Sequence, residues 1–340
     1  MSLAWRFLGY GALAFGGPVV QIAALHRELV ERERWVDEAR FRKVLAVYQA
    51  LPGPEATELC IWFGTVARGR LGGLVAGIGF LLPGLALMLL ASWLLFGLDP
   101  WPPPLVAAFA GMQAAVVTLV ARAAWRLFRA STRGSVVLAA IAVAAATAAT
   151  LWAPFGSTPA VPGTGGGDPG DGALLLTGLR SGLLTFGGAY AVIPLLQADA
   201  CGPHGWMTAS QFTSGLAVGG ALPAPMVILG TWVGWAGGGL GGALLLTLGI
   251  FAPAFAFPLL LHDALERLTR NRRVHALLDA ITAAVVGLVV AVALQLATTL
   301  TSPVRLAIAA GALLVLLRWH GRFAVPPVLF AAATTGILWL

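Results

Sequence analysis

Charged side chains are scarce in this chain of 340 residues. They make up 10% of it, whereas apolar residues make up 59% and the mean hydropathy is +0.87. A water-soluble domain carries about 25% charged residues. A chain so poor in charge cannot cover a surface that faces water, so lipid must surround it. The composition excludes a soluble protein and predicts an all-α polytopic membrane protein.

Residues that bind metals or form disulfides are also scarce. The two cysteines, Cys60 and Cys201, lie in unrelated segments, and the chain contains neither a C-x-x-C pair nor an H-E-x-x-H motif. No glycine-rich phosphate loop ending in Lys-Ser or Lys-Thr is present, which excludes an ATP-driven motor of that type. We expect no cofactor, no metal and no catalytic residue, and the protein is not predicted to be an enzyme.

Acidic residues are outnumbered by basic ones, which gives a net charge of +7. In a soluble protein this balance would indicate a nucleic-acid partner. Here the 20 arginines and the single lysine lie mostly in short loops between apolar runs. They therefore predict membrane topology, and no nucleic-acid partner is expected.

The sequence contains a tandem repeat. When the chain is shifted by 171 residues, residues 15–54 align without a gap to residues 186–225, and 14 of the 40 positions are identical. The matches include Phe-Gly-Gly, a tryptophan and Ala-Leu-Pro-x-Pro. Between the halves lies a stretch rich in glycine and proline. We predict a first repeat at 1–155, a linker at 156–172 and a second repeat at 173–340.

Four apolar segments are long enough to span a membrane but are interrupted near the middle: 3–25, 44–67, 173–198 and 211–236. The prolines predicted to break these helices are Pro18, Pro52, Pro54, Pro223 and Pro225. In 211–236 the break leaves arms of 12 and 11 residues, each about 17 Å long, or about half of a 30 Å hydrocarbon core. We expect four re-entrant hairpins whose tips lie at mid-membrane.

The distribution of arginine supports this arrangement. Basic residues cluster at 27–43, at 68–70 and at 122–133. All three clusters share the cytoplasmic side only if 44–67 turns back without crossing. The second half then has the opposite orientation, so the sequence predicts two inverted-topology repeats, an architecture known among secondary transporters.

The helix breaks are the candidate binding site. A helix that begins inside the membrane presents free N–H groups and a positive dipole end, which suit an anion. Glycine lets a ligand approach the backbone. Tight helix packing through small residues is the alternative interpretation. The candidate substrate-binding residues are Gly16, Gly17, Gln21, Gln49, Gly53, Thr57, Gly187, Gly188 and Tyr190.

Glu55 and Glu58 follow the Pro-Gly-Pro break directly and lie on one helix face. Carboxylates inside a membrane are costly, so they are candidates for proton coupling. The alternative is that they stabilise the dipole of the helix they begin. Arg6 and Arg180 each precede a Phe-Gly-Gly break, and they either reach to the interface or attract anions.

The chain resembles the chromate ion transporter family in its two-domain form. The resemblance rests on Phe15-Gly16-Gly17-Pro18, Leu51-Pro52-Gly53-Pro54-Glu55 and Phe186-Gly187-Gly188-Ala189-Tyr190. It implies a secondary transporter in the cell (inner) membrane that exports chromate, gives chromate resistance and has sulfate as a competing or exchanged anion. The expected partners are these anions and the lipid bilayer, and a homodimer is compatible with the sequence. The second half departs from the family pattern at Pro223-Ala224-Pro225.

Two other function classes remain open from the residues alone. One is a membrane-embedded enzyme that acts on a lipid phosphate, which would need a cluster of His, Asp or Arg facing one leaflet, and the sequence indicates no such cluster. The other is a lipid flippase or scramblase, because re-entrant hairpins also occur in such proteins. Transport of chromate and sulfate into proteoliposomes distinguishes these classes.

Overall fold

The structure, a computed structural model, describes residues 2–98, 100–132, 134–152, 170–186, 188–202, 205–261, 272–319, 321 and 323–340. The described residues form helices and contain no β-strand. The all-α fold class predicted from composition is confirmed. Most of the predicted linker, residues 156–169, lies outside the described residues.

Thirteen α-helices make up the described structure. In the first half they are α1 (Leu3–Ala12), α2 (Pro18–Leu25), α3 (Glu38–Ala50), α4 (Glu55–Phe96), α5 (Pro103–Thr132) and α6 (Val136–Trp152). In the second half they are α7 (Gly170–Leu183), α8 (Val192–Ala200), α9 (Ala209–Ala221), α10 (Leu229–Ala256), α11 (Arg272–Ala297), α12 (Pro303–Arg318) and α13 (Val325–Trp339). Short 3-10 turns, Ala189–Ala191 and Met226–Ile228, lead into α8 and α10.

Four helical stretches are long and apolar enough to cross a membrane. They are Glu55–Phe96, Pro103–Thr132, Met226–Leu261 and Ala276–Ala297. Two shorter apolar helices, Val136–Leu151 and Val325–Trp339, accompany them. Large apolar side chains on these helices are exposed, Leu244 and Phe330 among them, as expected where lipid is the solvent. The protein is a multi-pass membrane protein.

Helices α4 and α10 each reverse direction within their length. Non-helical backbone at Arg68 and Gly69 divides α4, and Gly69 has a φ of 65°. In α10 the same interruption lies at Gly238 and Gly239, 170 residues later. The positive φ at each second position favours glycine. Both helices therefore fold back on themselves as tight hairpins.

Glycine lets the two arms of each hairpin touch. A Cβ at Gly64 would overlap the carbonyl oxygen of Gly72, and a Cβ at Gly234 would overlap that of Gly242. These pairs correspond at the offset of 170 residues. Small residues that bring helix backbones together are typical of packing inside membranes.

The packing of the first helix in each half also recurs. A Cβ at Gly11 on α1 would overlap the Phe80 carbonyl oxygen on α4, and a Cβ at Gly182 on α7 would overlap the Ile250 carbonyl oxygen on α10. Gly182 lies 171 residues after Gly11, and Ile250 lies 170 after Phe80. The repeat seen in the sequence therefore has matching backbone contacts in both halves.

Side-chain caps begin α3 and α9. The Asp37 carboxylate accepts a hydrogen bond of 2.7 Å from the backbone N–H of Arg40 at the start of α3. Thr208 and Gln211 form a capping box at the start of α9. Each cap satisfies backbone donors that the first helical turn leaves free. Both helices end where the sequence reaches Leu-Pro, because proline lacks the N–H that would extend the helical hydrogen bonds.

Candidate functional site

The helix breaks of the two halves lie against each other. The backbone N–H of Gly53, in the break between α3 and α4, donates a hydrogen bond of 2.9 Å to the carbonyl oxygen of Thr185, in the break after α7. A Cβ at Gly17 would lie 3.8 Å from the hydroxyl oxygen of Tyr190. The three breaks therefore meet in one region, although they are far apart in the sequence.

A cavity of about 290 Å³ opens beside these breaks. The first turns of α2, α4 and the 3-10 turn before α8 border it, so three positive dipole ends lie at its edge. Its lining residues include Gly16, Pro18, Val19, Gln49, Glu55, Arg122, Arg126, Gly188, Ala189 and Tyr190.

Two arginines on α5 give the cavity its charge. Arg122 and Arg126 are four residues apart, so both lie on the face of α5 that lines the cavity. Among the described residues, neither arginine has an acidic group within 4.0 Å. Like charges at this spacing repel each other unless an anion lies between them. The pair therefore makes the cavity an attractive site for a multivalent anion.

Glu55 stands opposite this positive charge. It is the one carboxylate among the described residues that line the cavity. A second, smaller cavity of about 150 Å³ adjoins at Glu55 and Gln49 and is also lined by Asp279 and Thr282 of α11. The Glu55 side chain therefore lies between a basic compartment and an acidic one.

Comparison with known proteins decides the family. The Chromate transporter family model matches residues 1–166 and 172–337, once in each half. The chain belongs to this family. A "Chromate transport protein" of Pseudomonas aeruginosa is 42% identical over 98% of this chain and 91% of its own length. A "Chromate transport protein" of Cupriavidus metallidurans is 28% identical over 99% of this chain and 92% of its own. No solved structure matches the chain significantly.

The structure brings five of the predicted substrate-binding and proton-coupling residues to the main cavity of this transporter: Gly16, Gln49, Glu55, Gly188 and Tyr190. Pro18, the first residue of α2, also lines it. Gly17 lines a separate small cavity, which is also lined by Tyr190. These residues come from three breaks in both halves, so neither half could form the cavity alone.

Four other predicted residues lie away from the cavity. Gln21 is buried and donates a hydrogen bond of 2.7 Å to the carbonyl oxygen of Ala14, which holds the first break in shape. Thr57 and Glu58 are fully buried, and among the described residues their side-chain oxygens have no hydrogen-bond partner. Gly53 donates the backbone hydrogen bond to Thr185 described above. It also lies against Glu58, since a Cβ at Gly53 would be 2.6 Å from Oε1 of Glu58.

The remaining predicted residues are Gly187 and the helix-breaking prolines. Gly187 lies outside the described residues. The prolines lie within the interruptions of the helices, Pro52 and Pro54 between α3 and α4, and Pro223 and Pro225 between α9 and the 3-10 turn before α10. The Pro223-Ala224 stretch packs against Gly84 of α4, where a Cβ would lie 2.5 Å from that of Ala224.

Arg6 and Arg180 are both engaged in ion pairs. Arg180 contacts both carboxylate oxygens of Asp199, at 2.5 and 2.6 Å. Arg6 pairs with Glu33 and stacks over the Trp35 ring, and its hydrogen bond lowers the pKa of the exposed Glu33 carboxyl. Arg180 therefore ties the first arm of its hairpin to the second arm, and Arg6 ties the first arm of its hairpin to the chain after the second. Neither lines the main cavity.

Sequence reasoning missed Arg122 and Arg126. The distribution of arginine predicts both only as topology signals on the cytoplasmic side, whereas α5 runs without a break to Thr132 and carries both into the lining of the cavity. The available signal was their spacing of four residues at the end of an apolar run, which places both on one helical face. The spacing does not predict that this face of α5 lies against the helix breaks, because that contact depends on how α5 packs against the second half.

Proposed function

We propose that the protein is a secondary active transporter that exports chromate across the cell (inner) membrane and thereby gives chromate resistance. The observation that carries this proposal is the arginine pair, Arg122 and Arg126, facing the first turns of broken helices from both halves. The names of the relatives, which are chromate transport proteins, support the choice of substrate.

The charge of the site suits a dianion. Two guanidinium groups and several helix N-termini supply positive charge and hydrogen-bond donors around one cavity. Sulfate has the same charge and tetrahedral shape as chromate. A site that recognises these two properties cannot separate the anions strongly, so we propose that sulfate competes with chromate or is exchanged for it.

The membrane potential favours export. Moving one elementary charge across a potential of 100 mV changes the free energy by about 2.3 kcal/mol. A dianion leaving a cell that is negative inside therefore gains about 4.6 kcal/mol per 100 mV. Export down this gradient needs no ATP-binding motif, in keeping with the sequence.

Glu55 is the proposed site of proton coupling. Its carboxyl faces Arg122, Arg126 and Tyr190 across the main cavity and Asp279 across the adjoining one, with Glu58 one helical turn further along α4. A negative Glu55 repels the dianion and is attracted by the arginines. Protonation of Glu55 would remove this repulsion of the dianion, which links anion binding to proton uptake.

We also propose the inverted arrangement of the two halves. The breaks of both halves meet at Gly53 and Thr185, as two hairpin tips entering from opposite faces would. The arginine-rich segments of the first half then lie on the cytoplasmic side. Arg122 and Arg126 belong to one of these segments, so we propose that the main cavity opens toward that side.

Reconstituted transport tests the proposal. Proteoliposomes that contain the purified protein should take up radiolabelled chromate when the lumen is made positive, and unlabelled sulfate should reduce the uptake. Protein-free liposomes are the control. A protein that instead moves fluorescent lipid between leaflets and leaves chromate outside is a scramblase, and this result would reject the proposed function.

A further inference from the structure

The separate small cavity that Gly17 lines shares Tyr190 with the main cavity. It measures about 40 Å³ and is lined by Gly17, the small residues Gly219, Gly220 and Ala224, and Met226. Gly16, Leu119, Tyr190 and Val325 line both cavities. The two cavities are therefore neighbours that share one wall.

Residues at equivalent positions of the two repeats line the two cavities. Gln49 and Glu55 line the main cavity. The residues 171 positions later are Gly220 and Met226, and both line the small cavity. The first-half break after α3 thus borders one cavity, and the equivalent second-half break after α9 borders the other. This relationship is expected if the cavities are two halves of one path through the protein.

Tyr190 occupies the boundary between them. Its hydroxyl end lies beside Gly17 in the first break, where a Cβ would be 3.8 Å from the hydroxyl oxygen. Its repeat equivalent, Val19, lines only the main cavity and is 60% exposed. The ring of Tyr190 is thus the large side chain that spans from the second-half break to the first-half break.

We propose that the small cavity is the closed half of the anion path and that Tyr190 is the side chain that closes it. This inference rests on the proposed function. The small cavity measures about 40 Å³ and the main one about 290 Å³, so the path is constricted on the side of the small cavity. Movement of the ring away from Gly17 joins the cavities.

The small cavity differs from the main one in its lining residues. Met226 and Gly220 stand where the main cavity has Glu55 and Gln49, so this half of the path has no carboxylate among its described lining residues. An anion that passes Tyr190 no longer faces Glu55. Proton exchange at Glu55 is then confined to the side of the main cavity, whichever half of the path is open.

Cysteine accessibility tests the closure. In a background with Cys60→Ala and Cys201→Ala, Gly220→Cys reports on the small cavity. A Cβ at this position has its nearest neighbour at 3.6 Å, an ordinary contact, so the variant should fold. Ala130→Cys, on the lining of the main cavity, is the matched control. The probe is a small membrane-impermeant methanethiosulfonate, applied from one face at a time.

We expect Ala130→Cys to react quickly from the cytoplasmic face and Gly220→Cys at least tenfold more slowly. Adding Tyr190→Ala should raise the reaction rate of Gly220→Cys from that face at least tenfold, whereas Tyr190→Phe, which keeps the ring, should not. The rate at Ala130→Cys should stay the same in all backgrounds, which confirms that the variants are folded.

An unchanged rate at Gly220→Cys after Tyr190→Ala, with normal labelling of Ala130→Cys, would overturn the inference. This part of the experiment needs no substrate. Chromate, added to the protein with Tyr190 intact, should in addition make Gly220→Cys reactive from the opposite face. If Tyr190→Ala opens the path but chromate has no effect at either position, the closure by Tyr190 stands and the proposed substrate is wrong.

Discussion

Gly17 and Gly188, which are 171 residues apart, adopt the same unusual backbone conformation. Gly17 has φ 78° and ψ −179°, and Gly188 has φ 113° and ψ 170°. This region of backbone space is essentially restricted to glycine, and any other residue there costs about 1–3 kcal/mol. Each glycine precedes the first turn of the second arm of its hairpin. The two breaks are therefore built in the same way, and both need glycine.

Substituting either glycine should abolish transport with a modest loss of stability. Space is not the obstacle, because a Cβ at either position would be 3.8 Å from its nearest neighbour. The strain instead shifts the first turn that borders a cavity. We expect Gly17→Val and Gly188→Val to lose chromate uptake in proteoliposomes and to lower the free energy of unfolding by about 1–3 kcal/mol.

Gly9→Val is the control for these variants, since Gly9 is helical and a Cβ there has no neighbour within 4 Å. It should transport normally. If Gly17→Val and Gly188→Val also transport at the wild-type rate, the breaks serve only helix packing.

The two carboxylates should behave differently. Glu55 lines both polar cavities, whereas Glu58 is fully buried and reaches neither. Glutamine keeps the shape of glutamate and fixes the neutral form. We expect Glu55→Gln to bind chromate but to flatten the pH dependence of transport. Glu58→Gln should keep the wild-type pH profile, because Glu58 is not among the described residues that line these cavities.

Transport rates measured across a pH series in proteoliposomes check this prediction. A wild-type profile in Glu55→Gln would mean that Glu55 only stabilises the start of α4, and that any coupling ion binds elsewhere.

The breaks could be predicted from sequence because their causes are local. Gly-Gly and Pro-x-Pro interrupt a helix wherever they occur, and the repeat shows that four interruptions belong together. Asp37 and Thr208 could be predicted as caps for the same reason. The different environments of Glu55 and Glu58 could not be predicted from sequence, since residues three apart share a helical face. In the structure Glu55 lines the main cavity, whereas Glu58 is buried against Gly53.

Arg180 should contribute to stability and not to substrate affinity. Its pair with Asp199 joins the two arms of the third hairpin, but half of the arginine side chain is exposed. Ion pairs so open to solvent contribute about 0.2–1 kcal/mol. We expect Arg180→Gln to lower the free energy of unfolding by no more than about 1 kcal/mol and to leave the KM for chromate unchanged. A tenfold rise in KM would show that Arg180 attracts the anion.

The inverted topology predicts which face of the membrane each loop reaches. In the cysteine-free background, Arg70→Cys and Arg129→Cys should react with an impermeant reagent only from the cytoplasmic face. Ala209→Cys, at the first residue of α9, should react only from outside. Labelling of Arg70→Cys from outside would mean that 44–67 crosses the membrane, and the re-entrant arrangement would be wrong.

The cavity itself could not be predicted from the sequence. It needs α5 to present Arg122 and Arg126 to breaks that lie about seventy residues away on either side, and such contacts depend on how the whole helix bundle packs. Gln21 illustrates the same limit, because a polar residue next to a break can face the ligand or the backbone. Here it hydrogen-bonds to Ala14.

Chromate binding to the purified protein tests the role of the arginine pair most directly. Titration calorimetry should show that Arg122→Gln and Arg126→Gln each weaken chromate binding at least tenfold, because each removes one charge from the cavity. Arg129→Gln, on the same helix but not among the residues lining the main cavity, should bind like the wild type. Equal affinities for chromate in all four proteins would contradict the assignment of this cavity as the anion site.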